Sequence, residues 1–371
     1  MDNYYVGLMS GTSLDAIDAV LLRIEDNGVI EVVSVLNTPF PDHISGQLRN
    51  MIVGKVESLH ELCSLDTELG EIYAAVTLDL ISKSGYSSGE IRAIGSHGQT
   101  VRHQPDGKHP YSLQIGNPSV IAEVTGITTV ANFRIRDIAA GGQGAPLLPA
   151  FHKAVFSDPD RPRVIVNIGG IANITLLPRI KSKNIVTGYD TGPGNCLLDS
   201  WSLSCRGVAY DKNGRWSASG TVDQKMLDSL IADDYFSKSP PKSTGTEYFN
   251  LDWLEANYPF VTELKAEDVQ ATLAELTAHS IALPIIREGY DNNEIYLCGG
   301  GVHNRDLTER LQRHLSAADI FSTEKLGLDP DFVEATAFAW LAWRTMEKKA
   351  GNLPAVTGAR HPVILGGVFL A

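Results

Sequence analysis

Three short stretches rich in glycine and hydroxyl groups each follow a run that reads as a β-strand: Ser10-Gly11-Thr12-Ser13, Asp190-Thr191-Gly192-Pro193-Gly194-Asn195 and Gly299-Gly300-Gly301-Val302-His303-Asn304. Glycine lets backbone N–H groups converge on an anion with no side chain in the way. The second and third stretches also precede helical patterns, whose first N–H groups and dipole favour negative charge. Read singly, each is also an ordinary tight turn; read together, they suit the phosphates of a nucleotide. Neither GxxxxGK[ST] nor a GxGxxG at a strand-to-helix turn is present, which disfavours a Walker ATPase and a classical dinucleotide-binding dehydrogenase.

The elements that must position these loops fall into two similar series. Tyr4 to Met9 and Ala16 to Ile24 read as a hairpin around the first turn, Val29 to Leu36 as a third strand, and residues 43 to 84 as helix, with Leu59, Leu62, Leu65, Leu69, Ile72, Val76 and Leu80 at helical spacing. A second series begins with Arg163 to Ile168, the turn Gly169-Gly170, Ile171 to Leu177 and Ile185 to Tyr189, followed by helices over 194–205, 222–231 and 268–288. Next come a strand, Glu294 to Cys298, and a helix from Arg305 to Leu315. A closing helix is marked by Asp329 as cap, Pro330 at its first position and Gly351 as stop, and a last strand over 362–365 returns to the first lobe. Strand, strand, strand, helix is thus written twice. The segment Ala139 to Pro149, dense in Gly and Pro, sets the expected boundary: a first lobe of 1–140 with 355–371, and a second of 141–354. At 371 residues, 43% hydrophobic and 20% charged, the chain is long enough for two α/β lobes with a ligand cleft between them.

Two hairpin phosphate loops and a Gly-Gly-Gly loop for adenosine look like the actin, Hsp70 and sugar kinase superfamily, whose lobes have a ribonuclease H-like fold. Within it the chain most resembles the anhydro-N-acetylmuramic acid kinases. The matching segments are Gly7 to Asp18, Ser96-His97-Gly98-Gln99-Thr100, Gln114-Ile115-Gly116, Ala131-Asn132-Phe133-Arg134, Asn167 to Asn173, Tyr189 to Asn195 and Cys298 to Asn304. They run in order from the first strand to the last helix, and that joint coverage is specific where any one segment is not. The resemblance implies a kinase of peptidoglycan recycling that uses ATP and Mg²⁺, adds water at C1 of the anhydro sugar and phosphorylates O6. It also implies a homodimer. Many superfamily members carry an acidic residue at the end of the first strand; this chain has Leu8-Met9-Ser10 there, so a carboxylate contact to the metal must come from elsewhere or through water.

Opening an internal acetal needs a base for water near the sugar. Asp190, at the mouth of the second loop, is the first candidate; its alternative is to cap the next helix or order the loop. Glu334 is the second, with an ordinary acidic helix start as its alternative. The nucleotide is expected at Gly11, Thr12, Ser13, Leu14, Asp15, Ala16, Ile17 and Asp18, then at Gly192, Gly194, Asn195, Gly300, Gly301 and Asn304. Asp15 and Asp18 can orient Mg²⁺ through water, and no direct metal ligand is assigned. His97, Gln99, Thr100, Asn132 and Arg134 are expected at the sugar, with Arg134 suited to a lactyl carboxylate or, alternatively, to an ion pair with Asp137. His97, His103 and His109 lack the close spacing of a metal site.

The remaining signals set limits on partners. With 31 basic and 44 acidic residues the formal charge is −13, which disfavours nucleic acid and anionic membranes as partners. No apolar run is expected to approach the ~20 residues that span a bilayer, and Cys63, Cys196, Cys205 and Cys298 form no CxxC pair, as expected of a reduced cytoplasmic protein. Cys196 reads as a small buried hydrophobe more readily than as a nucleophile. A kinase of the same superfamily acting on a free hydroxyl shares every phosphate loop, so only the segments around His97 and Arg134 separate the two readings.

Overall fold

The computed structural model describes residues 3–11, 14–52, 54 and 58–371. They form two compact units, Met1–Val155 with Phe332–Ala371, and Phe156–Asp331.

In the first unit, β1 (Tyr4–Ser10) is buried along its whole length, as befits a strand paired on both edges and covered on both faces. It pairs antiparallel with β2 (Ala16–Ile24), which pairs antiparallel with β3 (Ile30–Pro39); on its other edge it runs parallel to β4 (Ile91–Ser96). β7 (Thr129–Ala131) and β13 (Gly367–Phe369) extend the sheet to the order β13-β7-β4-β1-β2-β3, while β5 (Gln99–Gln104) and β6 (Tyr111–Ile115) make a separate two-stranded ribbon. Because strand side chains alternate, Tyr4, Val6 and Leu8 enter a core with Ile44 and Leu48 of α1 (Asp42–Ile52) and Leu65, Leu69 and Tyr73 of α2 (Leu59–Ser84). The helical stretch expected over 43–84 is therefore two helices, the second capped by Ser58 at its start and by left-handed Gly85 at its end. The shorter helices α3 (Pro118–Thr125), α4 (Phe133–Ala139) and α5 (Leu148–Phe156) follow.

The opposite face of β1 and β4 is covered by α12 (Val333–Met346), and the contact is backbone on backbone. A Cβ on Gly7 would lie 1.9 Å from the Ala335 carbonyl oxygen, and one on Gly95 would lie 2.1 Å from that of Phe338. This packing corrects the expected boundaries: residues 332–354 belong with the first unit, which also keeps 141–155. Asp329 and Pro330 do not start the helix. The Pro330 carbonyl accepts the Gly299 N–H (2.9 Å) and the Asp329 carboxylate accepts the Asp331 N–H (3.0 Å), so the pair is held in the second unit. The returning strand forms at Gly367–Phe369, antiparallel to β7, rather than at 362–365.

The second unit repeats the pattern. β8 (Arg163–Ile168) and β9 (Ile171–Leu177) form a hairpin, β10 (Thr187–Pro193) pairs with β9, and β11 (Glu294–Cys298) and β12 (Asp319–Ser322) add parallel strands, giving β10-β9-β8-β11-β12. Third, second, first, fourth, fifth is the order in both sheets, the ribonuclease H-like arrangement. Around this sheet lie α6 (Cys196–Arg206), α7 (Gln224–Ile231), α8 (Asp234–Ser237), α9 (Leu251–Asn257), α10 (Ala266–Arg287) and α11 (Arg305–His314). By length and composition α10 qualifies as a membrane-crossing helix, contrary to the expectation of no such run; its apolar window is 72% buried in this unit, with Ala278, Ile281 and Ile285 in the core.

Candidate active-site residues in each unit

The hairpin β1–β2 ends at Ser10, whose buried hydroxyl meets the Tyr73 hydroxyl at 2.7 Å. The Leu14 N–H donates to the Gly11 carbonyl (3.3 Å), and Leu14 holds a left-handed φ of 59°. Thr12 and Ser13 lie outside the described residues. Leu14 and Ile17 are core side chains, so neither can meet a nucleotide except through its backbone. Ile17 and Asp18 are paired in register with both β1 and β3, Met9 opposite Asp18 and Thr38 opposite Ile17, while Ala16 pairs with Pro39 of β3. The second strand starts at Ala16 as expected, and Asp15 just before it is exposed. Asp18 sits on β2 with its carboxylate accepting from the Asn37 amide at 2.7 Å.

β4 delivers His97, whose main-chain N–H donates to the Leu8 carbonyl (3.0 Å). The Arg134 Nε–H donates to His97 Nε2 at 3.0 Å, which leaves the ring proton on Nδ1. Burial, reinforced by the Arg134 charge, holds the His97 pKa well below the ordinary histidine value, so the ring is neutral. It packs 4.7 Å, centroid to centroid, from Phe338 of α12. A second Arg134 nitrogen donates to the Gly144 carbonyl at 2.9 Å. The alternative partner, Asp137, accepts instead from the Gly144 N–H, the Asn352 amide and the Thr357 hydroxyl. Gln99 is fully buried and donates weakly to the Thr100 carbonyl (3.4 Å), with its amide oxygen unpartnered among the described residues. The Thr100 hydroxyl accepts from Gln114 (3.1 Å). Asn132 is exposed at the start of α4 in a left-handed conformation (φ 61°) and makes no side-chain cap bond, a backbone state Asn tolerates better than most residues. His97 and Arg134 are thus in direct contact, while Gln99 and Thr100 belong to the adjoining ribbon.

α12 brings Glu334 to this unit. Ala335 of the first turn abuts Gly7, and Glu347 at the far end of the helix acts electrostatically on Tyr5. The helix consequently runs antiparallel to β1, with its positive end and Glu334 directed toward the Ser10–Gly11 end of the strand.

In the second unit Asp190 lies within β10, not at its end, beside a β-bulge between Asp190 and Gly192. Bulges re-aim side chains. Asp190 is 8% exposed. Its Oδ2 accepts the Thr244 N–H (3.0 Å), its carbonyl accepts the Tyr235 hydroxyl (2.8 Å), and its N–H donates to the Lys242 carbonyl (3.4 Å). Asn195, not Asp190, occupies the N-cap of α6, which removes the capping alternative; Asp190 does order the 242–244 segment. Thr244, Tyr235 and Lys242 were not expected at the site. The string Pro240-Pro241-Lys242-Ser243-Thr244-Gly245 shows no periodicity, and only a fold that carries it back to β10 reveals its role.

The helix-opening loop at Gly192–Asn195 is less available than expected. The Gly194, Asn195 and Cys196 N–H groups donate to the Gly169 and Gly170 carbonyls at 2.8 to 3.1 Å, and the Asn195 side chain donates to the Ile168 carbonyl. Those donors cannot also hold phosphate. The Gly169-Gly170 turn, which joins β8 to β9 as the Ser10–Ser13 segment joins β1 to β2, is the topological counterpart of the opening turn. The repeat was a usable signal for it. At the third loop, Gly299 has φ 79° and a Cβ there would lie 2.4 Å from Asn167 Oδ1, so only glycine fits; Gly300, by contrast, has nothing within 4 Å of the same position, leaving its backbone approachable. The Asn304 side chain caps α11 at the Leu307 N–H (3.0 Å). Burial pushes the Cys196 thiol up to about 12, so it is no nucleophile.

A family model described as anhydro-N-acetylmuramic acid kinase matches residues 3–371. A protein of that name from Coxiella burnetii (strain Dugway 5J108-111) is 47% identical over 365 residues, spanning 98% of this chain and 97% of its own. One from Shewanella loihica is 46% identical over 367 residues, spanning 99% and 98%. Among solved structures, component A of the (R)-2-hydroxyglutaryl-CoA dehydratase of Acidaminococcus fermentans aligns with a TM-score of 0.47 at 12% identity, over 93% of this chain and all of that one.

Proposed function

The chain belongs to the anhydro-N-acetylmuramic acid kinase family, and on that premise we propose that it phosphorylates 1,6-anhydro-N-acetylmuramic acid with ATP while water opens the anhydro bridge, a step of peptidoglycan recycling. Water attacks C1, the C1–O6 bond breaks with its electron pair on O6, and O6 takes the γ-phosphoryl group as ADP leaves. Asp190 receives the proton of the attacking water. The observation that carries this role is a carboxylate only 8% exposed beside a β-bulge, with its Oδ2 fixed by the Thr244 N–H at 3.0 Å. A carboxylate in such a position contributes about 10²–10⁴ in rate.

Arg134 takes the lactyl carboxylate of the sugar, steadied by neutral His97 at its Nε. Glu334 assists at water or sugar from the first turn of α12. The Gly11–Asp15 turn, the Gly169-Gly170 turn and the open backbone at Gly300 hold the nucleotide. Mg²⁺, when bound with ATP, offsets charge on the phosphates; Asp15 and Asp18 would reach it through water, which fits an ion that keeps several waters and takes few protein carboxylates. We place the activity in the cytoplasm, where ATP is supplied, and in a homodimer.

Incubation with ATP, Mg²⁺ and the anhydro sugar in ¹⁸O water tests the reading. Label at C1 of a 6-phosphorylated product is the expected result. Phosphorylation without label at C1 would instead indicate transfer to a free hydroxyl.

A further inference from the structure

We propose that the second unit carries a separate site for a phosphate group, in a cavity of about 170 Å³ between the 236–242 segment, Tyr189 of β10 and the last turns of α10. Lys238, Lys242 and Arg287 line it, with Glu288 as the one carboxylate. Three cations around one small cavity are unexpected in a chain whose net charge is −13. None of the three forms an ion pair among the described residues. The two lysines have only weak partners. The Lys242 ammonium donates to the Tyr235 carbonyl (3.1 Å) and lies 4.5 Å from the centre of the Tyr235 ring, with Lys238 5.7 Å from the same ring.

Burial pushes the Lys242 pKa down to about 8, and the charges of Arg287 and Lys238 push it further the same way while Asp190 opposes them. An anion seated among these groups would relieve that mutual repulsion, and partial burial of Lys242 makes the interaction stronger than on an open surface. A tetrahedral oxyanion presents several acceptors to such a set, and Arg binds phosphate with paired donors. The lining also includes apolar Phe236, Leu283 and Pro284, so space beside the phosphate suits a carbon skeleton. Free phosphate and a phosphomonoester share this chemistry. Asp190 is not among the lining residues, although its neighbours Tyr189 and Thr191 are, so the cavity lies beside the second glycine loop and takes in neither of the other two.

The full chain, saturated with a non-hydrolysable ATP analogue to occupy the glycine loops, is titrated calorimetrically with inorganic phosphate and separately with glucose 6-phosphate. Saturable binding of at least one is expected; a tighter monoester identifies an esterified ligand, and a tighter inorganic ion identifies free phosphate. Arg287→Gln should weaken it about 10-fold or more, as for the loss of a charge-assisted hydrogen bond. Glu288→Gln should strengthen it about threefold by removing the like charge, a gain that no destabilised variant would produce. Absence of saturable binding, or equal affinity in the parent and Arg287→Gln, overturns the proposal.

Discussion

Asp190→Asn separates the chemical role of this residue from its structural one. The substitution keeps size and an acceptor oxygen, so the bond from the Thr244 N–H, 3.0 Å in the parent, can be retained, as can the main-chain bonds to Tyr235 and Lys242. The folded state should therefore lose less than ~1 kcal/mol, since the Thr244 N–H keeps its acceptor. What disappears is the capacity to take a proton. A positioned general base is worth about 10²–10⁴ in rate, or about 3–5 kcal/mol at 1.36 kcal/mol per tenfold. Turnover, followed by coupled ADP release with the anhydro sugar as substrate, should fall by that factor, while the KM for ATP stays within about threefold because binding of the nucleotide does not use this carboxylate. Asp190→Ala is the contrast: it also abandons the Thr244 N–H, and should add a loss of about 1–3 kcal/mol in stability. Turnover of Asp190→Asn within about fivefold of the parent, with an unchanged unfolding midpoint, would refute the assignment of Asp190 as base.

Gly7→Ala should destabilise the protein by about 1–3 kcal/mol, the usual range for overpacking, because its Cβ would meet the Ala335 carbonyl oxygen at 1.9 Å; urea denaturation measures it. Arg134→Lys should raise the KM for the sugar about 10-fold or more, with a smaller change for ATP, because Lys cannot make a two-pronged carboxylate contact; steady-state kinetics with each substrate varied checks this. Acid should be destabilising. His97 is held well below its usual pKa, His103 at about 4 and His152 at about 3, in each case chiefly by burial. The unfolded chain thus binds about three more protons than the folded one near pH 5, and stability falls as pH drops below about 6.5 by about 1.4 kcal/mol per pH unit for each histidine. His152→Gln should reduce that slope by one proton, read from unfolding free energies measured between pH 5 and 7.

Much of this molecule was legible in local pattern. Short apolar, β-favouring runs along 4–9 and 163–168 and helical spacing along 59–80 are properties of neighbouring residues, so both hairpin starts and the long helix could be read without a fold. The segments around Asp190, His97 and Arg134 were also singled out by composition and resemblance, but the partner expected for Arg134 was a lactyl carboxylate or Asp137, and its bond to His97 appears only in the structure. What the chain's order could not disclose is which distant backbone approaches which. The placement of α12 on β1 and β4 depends on two missing Cβ atoms, at Gly7 and Gly95, 88 positions apart, and it moves Glu334 from the expected second lobe to the first unit. Likewise, glycines at 192 and 194 promise open N–H groups, but the turn at Gly169-Gly170 folds onto α6 and takes the donors at 194–196. Sequence alone therefore determined the two-fold repetition of strand and helix and the kinds of side chain available for phosphoryl transfer. Tertiary structure decided which loop donors remain open and which groups hold Asp190, because hydrogen bonds are used up by partners that only long-range packing brings within 3 Å.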